Sequence, residues 1–349
     1  MDESVISRAR RVLEGYQGEK LRIMEVCGTH THEIFRLGIR KLLPPNIELI
    51  SGPGCPVCVT PVGYIDEAIL LALEHDVTVC TFGDLIRVPG TKQSLAEARA
   101  EGAQIRVVYS PLDAVEFARE NPERQVCFLS VGFETTTPAA CIAVEQAKEW
   151  GLRNFSLLTA NKTMPPAYEA MKDSCDLFLY PGHVHAITGT AVCRKLAERG
   201  ISGVLSGFTA EELMIALAVA VKKHQEGQPF FVNCYPRVVR EEGNPSACAL
   251  VDRLMQPCDS EWRGLGVIPS SGMQLKDCVS EFDARKKYNL PHIEGRANPA
   301  CRCGEVLQGK CTPNDCPLFG KVCTPQKPIG ACMVSNEGAC SAWYQYGGN

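Results

Sequence analysis

The sequence predicts an α/β protein: two doubly wound α/β domains with parallel sheets, followed by a cysteine-rich C-terminal region. Three observations carry this. From residue 21 to about 227, short β-branched or apolar runs alternate with helix-like stretches. After residue 230 that alternation fades. Seven of the 19 cysteines then fall between Cys301 and Cys340, in sequence rich in proline and glycine. Strands alternating with helices of this length make βα units, whose parallel sheets are covered on both faces. Eight such units could instead close into one (β/α)8-like barrel, and periodicity does not choose between the two.

The opening stretch MDESVISRARRVLEGYQGEKL has acids first and no apolar h-region, so residues 1–20 read as a short amphipathic helix, not a signal peptide. In a first domain over 21–124 the expected strands are LRIMEV, IELI, VTVCTF and QIRVVY. In a second, over 125–229, they are QVCFLSV, NFSLLT, DLFLY and SGVLS. Helical patterning marks YIDEAILLALEHD, PLDAVEFAREN, AACIAVEQAKEW and TAEELMIALAVAVKKHQEG. The region 230–349 is a poor candidate for an independent hydrophobic core, and a segment of this kind needs a metal centre to order it.

Composition excludes several classes. Hydrophobic content of 45% with 22% charged residues is that of a globular protein with a full core. A net charge of -4 without a basic stripe gives no electrostatic case for nucleic acid. No apolar run approaches the ~20 residues of a membrane span. Without a secretory signal, 19 cysteines argue against a disulfide framework and for a cytoplasmic chain with reduced thiols. Six of them, Cys80, Cys127, Cys141, Cys175, Cys193 and Cys234, stand singly in apolar or helical surroundings and read as small buried hydrophobes. Neither a P-loop nor a G-x-G-x-x-G is present to specify a nucleotide site.

The unusual polar motifs come where expected strands end. CGTHTHE follows LRIMEV, GPGCPVC follows IELI, GDLIRVPG follows VTVCTF, GFETTTP follows QVCFLSV, NKTMPP follows NFSLLT, and PGHVHAITG follows DLFLY. Sites of open α/β sheets form at that edge, where loops converge and helix N-termini supply positive dipoles. Cys27, at a strand end with His30 three residues on, is expected to have a depressed pKa and to act as nucleophile or soft metal ligand. One cysteine and one histidine are too few for a closed zinc site. Cys55 and Cys58 lie between prolines and glycines, with Thr60 and Pro61 expected to start the following helix. No second Cys-x-x-Cys follows at zinc-ribbon spacing, so a dithiol that cycles to a disulfide is the better reading. Glu134, Asp84 and His183 are candidate proton-handling groups. The threonines after Glu134, Thr135 to Thr137, are expected to cap the helix begun by Pro138. In the tail, Cys303, Cys316, Cys323 and Cys340 supply the four thiolates of a [4Fe-4S] cluster, with Cys301, Cys311 and Cys332 as spares and zinc as the rival metal.

Taken together, CGTHTH (27–32), GPGCPVC (52–58), FGD with VPG (82–90), GFETTTP (132–138), PGHVHAITG (181–189) and the tail CG…C…FG…CTP…MVS…EGAC (303–340) resemble the hydrogenase maturation HypD family. The resemblance runs over nearly the whole chain, with the motifs in family order. It implies two α/β domains plus a cluster-binding region. It also implies a scaffold and redox protein for nickel–iron hydrogenase, on which an iron ion gains two cyanides and one carbon monoxide. Implied partners are a small HypC-type chaperone and a HypE-type cyanide donor fed by HypF, with no nucleic acid or membrane. By the same resemblance Cys27 is the iron ligand with His30 beside it, Cys55 and Cys58 are the redox dithiol, and Cys303, Cys316, Cys323 and Cys340 hold the [4Fe-4S] cluster. An iron–sulfur-dependent thiol–disulfide oxidoreductase is the alternative.

Overall fold

The computed structural model describes residues 4–347. Its parallel strands are β1 (Leu21–Glu25), β2 (Ile47–Ser51), β3 (Val77–Thr81), β4 (Ile105–Val107), β5 (Gln125–Gly132), β6 (Phe155–Asn161), β7 (Leu177–Pro181), β8 (Gly203–Ser206) and β9 (Phe231–Asn233). The first eight coincide with the eight runs read from the sequence. β9 was not expected, since three half-buried residues are too short to show an alternation.

Two open sheets result, not a barrel. One has the order β2-β1-β7-β8-β9 and the other β4-β3-β5-β6. Nor does the chain divide near residue 125 into one sheet on either side. β3 pairs with β5 (Val77 opposite Gln125), and β1 pairs with β7 (Ile23 opposite Leu177). The chain starts the first sheet, leaves after β2 to build all of the second, and returns at β7. Every βα unit carries the same local pattern whichever sheet it joins, so the sequence periodicity holds no information on this choice.

Both faces of each sheet are covered, as parallel strands require. Helices Val5–Glu14 and Ala210–Gln225 pack on one face of the first sheet, against Leu21, Ile23, Leu177, Leu179 and Val204. Helix Ala210–Gln225 begins with a capping box between Thr209 and Glu212 and buries Leu213, Met214, Leu217 and Val221. Each such side chain contributes about 2 kcal/mol by leaving water. Helices Pro111–Glu120 and Thr137–Glu149 cover one face of the second sheet, and Val62–Glu74 and Leu95–Ala100 the other.

After β9 an antiparallel hairpin, β10 (Met255–Trp262) with β11 (Gly266–Leu275), lies against the end of β6. It is held there by Thr163 N–H donating to Ser271 O at 2.9 Å and by an isolated bridge between Lys162 and Gly272, while the Trp262 indole, donating to Ser271 Oγ at 2.8 Å, ties the two strands of the hairpin to each other. The tail does not make a core of its own. Cys303, Leu307, Cys323, Cys332, Met333 and Cys340 join Met24, Val26, Cys55 and Cys58 in one buried cluster. The tail is thus seated on the carboxyl ends of β1 and β2. No helix among the described residues is long and apolar enough to cross a membrane.

Candidate functional site

Strand order places the motif loops. In the first sheet the chain runs outward from β1 to β2 in one direction and from β7 to β9 in the other, so the switch point lies between β1 and β7. Cys27 follows β1, and His183 follows β7. In the second sheet the switch lies between β3 and β5, flanked by Asp84 and Glu134. Crevices open at such points because neighbouring connections diverge to opposite faces.

Cys27 is the N-cap of helix Gly28–Arg36, in extended conformation. Gly28 N–H donates to Gly54 O at 2.9 Å, which locks this loop to the one carrying the dithiol. A Cβ on Gly54 would stand 2.1 Å from Cys27 N, and one on Gly28 would stand 2.5 Å from Glu337 Cβ. Only glycine permits either approach. Below the two loops, buried Glu25 accepts from Arg40 Nη2 and from Ser51 Oγ, both at 2.7 Å, and ties the end of β1 to the end of β2. Glu337, from the tail, accepts from Thr29 Oγ1 at 2.7 Å.

The thiol of Cys27 is not acidic in this setting. Burial pushes it up to about 12, outweighing the amides of His30 and Thr29 that pull the other way, while Glu337 raises it further. The depressed pKa expected from a helix N-terminus is thus reversed, because the site is dry. Any metal ion that takes this sulfur as a ligand would have to displace a proton. His30 is fully buried, and burial lowers it to about 4, so it is neutral near pH 7. Its Nε2–H donates to Gly207 O at 2.9 Å, while Nδ1 has no partner. His183 stacks on Phe208 with ring centroids 3.9 Å apart, and His30 lies against the same ring at 4.8 Å. Phe208, in the loop after β8, was missed because one phenylalanine after a strand carries no pattern.

Cys55 caps the short helix Pro56–Val59, and Cys58 sits inside it, with its N–H donating to Cys55 Sγ at 3.4 Å. This short helix precedes the expected one, which does start after Thr60 and Pro61 as Val62–Glu74; Pro61 takes its N-cap position, and the Thr60 hydroxyl donates back to Pro56 O at 2.8 Å instead of capping it. Both thiols are buried, at 3% and 0% exposure. Burial pushes Cys55 well above its ordinary value. Burial also acts on Cys58, but interactions with the thiols of Cys332 and Cys55 and the charge of Arg263 outweigh it and bring Cys58 down to about 6.

Cys332 is the tail residue that the dithiol meets. It is fully buried and interacts with the thiols of Cys303, Cys340 and Cys58. The sequence made it a spare, since nothing in local spacing shows that the tail folds back onto Cys58. Cys303, Cys316, Cys323 and Cys340 are all buried, and Cys323 Sγ accepts from Ile329 N–H at 3.3 Å. Cys301 lies within electrostatic range of Cys303, Cys316 and Cys340. Cys311 lines a cleft with Lys20 and Trp343 and, of the proposed ligands, lies within electrostatic range of Cys316. Among the described residues no three His, Cys, Asp or Glu side chains converge on a single metal ion. The four thiolates of a [4Fe-4S] cluster bind four different irons and do not converge in that way, so this thiol-rich, buried donor set fits a cluster.

The remaining candidates are spread more widely. Asp84 is exposed and shares a cleft of about 530 Å³ with Cys55, Tyr109, Thr136 and Glu337. Glu134 faces helix Met164–Met171, where Oε1 accepts from Met164 N–H at 2.8 Å and Oε2 is buried without a partner. Burial pushes this carboxyl up to about 7. Of the threonines after it, Thr136 takes the N-cap position of helix Thr137–Glu149 as expected, but no side chain caps it: Thr136 and Thr137 donate to Phe133 O instead. Of the six cysteines read as packing, Cys80, Cys127, Cys141 and Cys193 are fully buried, and Cys175 and Cys234 are half-buried.

The HypD family profile, described as a hydrogenase formation hypA family, matches residues 3–347. The chain belongs to the HypD family. Among its relatives is the hydrogenase maturation factor HypD of Escherichia coli K12, 46% identical over 340 residues, which are 95% of this chain and 91% of that protein. The HypD of Rhodobacter capsulatus is 45% identical over 345 residues, covering 96% and 92% of the two chains. That of Azotobacter vinelandii is 43% identical over 351 residues, covering 97% and 93%. The family match takes in every motif loop described above and the whole cysteine-rich tail.

Proposed function

We propose that this chain, a hydrogenase maturation factor of the HypD family, is the scaffold on which an iron ion receives cyanide and carbon monoxide. A small HypC-type partner shares the iron, and a HypE-type protein, supplied by HypF, delivers cyanide. The observation that carries this reading is the apposition of the Cys27 loop and the dithiol loop, backbone to backbone across the ends of β1 and β2, with the Cys27 loop at the switch point of the first sheet. A thiolate is a soft ligand suited to electron-rich iron. Cys27 supplies one at the mouth of a crevice, with neutral His30 and His183 on the Phe208 side.

Cys55 and Cys58 form the redox pair. Their oxidation joins Sγ to Sγ and releases two electrons and two protons. Cys303, Cys316, Cys323 and Cys340 would hold a [4Fe-4S] cluster, which supplies one-electron transfer when bound, so two successive steps match one dithiol. Cys332 fills the space between Cys58 and that group of thiols. A general thiol–disulfide oxidoreductase is disfavoured by the burial of both dithiol sulfurs, because exchange needs in-line access to the attacking thiolate.

The test is infrared spectroscopy of the protein co-purified anaerobically with its small partner, as wild type and Cys27→Ala. Cyanide and carbon monoxide bands are expected in the wild type and absent in the variant. Bands that survive the substitution would remove Cys27 as the ligand.

A further inference from the structure

The sequence showed no basic stripe, and the chain carries a net charge of -4. The fold nevertheless gathers five cations, Arg87, Lys92, Arg263, Arg296 and Lys327, around one cleft of about 740 Å³, with Glu97 as the only carboxylate among the described residues that line it. Glu97 is already engaged, accepting from the backbone and the hydroxyl of Ser94. Arg87 spans to the tail through Pro325 O and Val334 O, which are carbonyls and leave its charge unpaired. The side chains of Lys92, Arg296 and Lys327 have no partner among the described residues.

Arg263, from the turn between β10 and β11, is the recessed member at 8% exposure. Its Nε donates to Thr60 O at 2.7 Å and its Nη2 to Pro89 O at 3.4 Å. Its backbone N–H donates to Val59 O at 2.8 Å, which fixes the residue against the end of the dithiol helix. Nη1 has no protein acceptor, yet it is not among the polar atoms sealed in the core without a partner, so it opens on the cleft. The thiols of Cys303, Cys332, Cys301 and Cys58 lie within electrostatic range of this guanidinium, but no carboxylate pairs with it and its remaining hydrogen bonds go to carbonyls, so a charge this deeply set is still costly to bury. A bound anion would offset that cost, and the planar fork suits an oxyanion with two adjacent oxygens.

We propose that this cleft binds a small phosphoryl anion, with Arg263 at its base and Arg296 and Lys327 at its rim. A compact, multiply charged anion reaches a recessed anchor in a small volume. An acidic peptide would call for an extended exposed stripe, whereas these five cations line a single cleft. Arg263 is shared with the dithiol site, since its charge also reaches Cys58, but the proposal does not depend on the iron-assembly reading, because it is tested by binding and not by maturation.

The test is calorimetric titration of the anaerobically purified full chain with inorganic phosphate and with pyrophosphate, at low and high ionic strength. Pyrophosphate is expected to bind more tightly than phosphate, and both to weaken as salt rises. Arg296→Ala and Lys327→Ala, which remove side chains without protein partners, are each expected to weaken pyrophosphate by about tenfold while leaving thermal unfolding unchanged. Arg263→Lys, which keeps the charge and loses the fork, is expected to weaken it at least as much. No binding of either anion, or equal affinity in the Arg296→Ala and Lys327→Ala proteins, would overturn the proposal. So would capture of a poly-glutamate peptide by a protein that ignores pyrophosphate, which would make the cleft a protein-docking surface.

Discussion

Replacing Glu134 with glutamine should make the protein more stable at alkaline pH, and the size of the effect follows from its surroundings. The carboxyl is buried with Oε2 unpartnered and titrates at about 7, against an ordinary 4.5. Its folded pKa therefore lies above its unfolded one, so the folded state holds a proton that the unfolded state has lost. The stability contributed by that proton is fully present below pH 4.5 and is lost as pH rises through 7. The interval between the two values corresponds to about 3 kcal/mol, at 1.36 kcal/mol per unit. Glutamine keeps the acceptor for Met164 N–H and places a neutral NH2 where the protonated acid carried its OH. The two proteins should then match near pH 4.5, with Glu134→Gln more stable by about 3 kcal/mol at pH 8. Anaerobic urea unfolding of both proteins across this range measures the difference. His30 and His185, which burial lowers to about 4, weaken both proteins equally on the acid side and cancel in the comparison. Parallel stability curves, or a variant less stable at pH 8, would falsify the assignment of Glu134 as a buried acid that holds its proton.

Two further outcomes are expected. Gly54→Ala would drive a methyl group to 2.1 Å from Cys27 N and part the two loops, costing about 3 kcal/mol or more and abolishing hydrogenase maturation. Gly83→Ala, whose Cβ would stand 3.8 Å from Val107, is the control and should remain active; equal loss in both would show that the loop contact is not what matters. Cys316→Ala and Cys323→Ala should each lower iron and sulfide, assayed per anaerobically purified chain, from about four of each, while Cys311→Ala retains them. Full iron content in the first two would exclude those thiols as cluster ligands.

The sequence by itself determined eight of the nine parallel strands and the edge of the sheets at which the motif loops lie. Eight apolar runs became eight parallel strands, because strand and helix periods are local properties of ten or so residues. The motif loops followed those strands, so Cys27, Cys55, Asp84, Glu134 and His183 were legible as strand-end residues. Tertiary structure alone decided which strands are neighbours. Val77 opposite Gln125 and Ile23 opposite Leu177 are pairings between distant units of identical pattern. It also decided the ionisation of the site. Cys27 has the sequence context of an acidic thiol, yet desolvation, which depends on everything packed around it, reverses the sign. Finally, it brought the tail back onto β1 and β2, placing Glu337 beside Thr29 and Cys332 beside Cys58 across about three hundred residues. Contacts of that span leave no trace in spacing, because each partner satisfies its own local pattern equally well wherever the other lies.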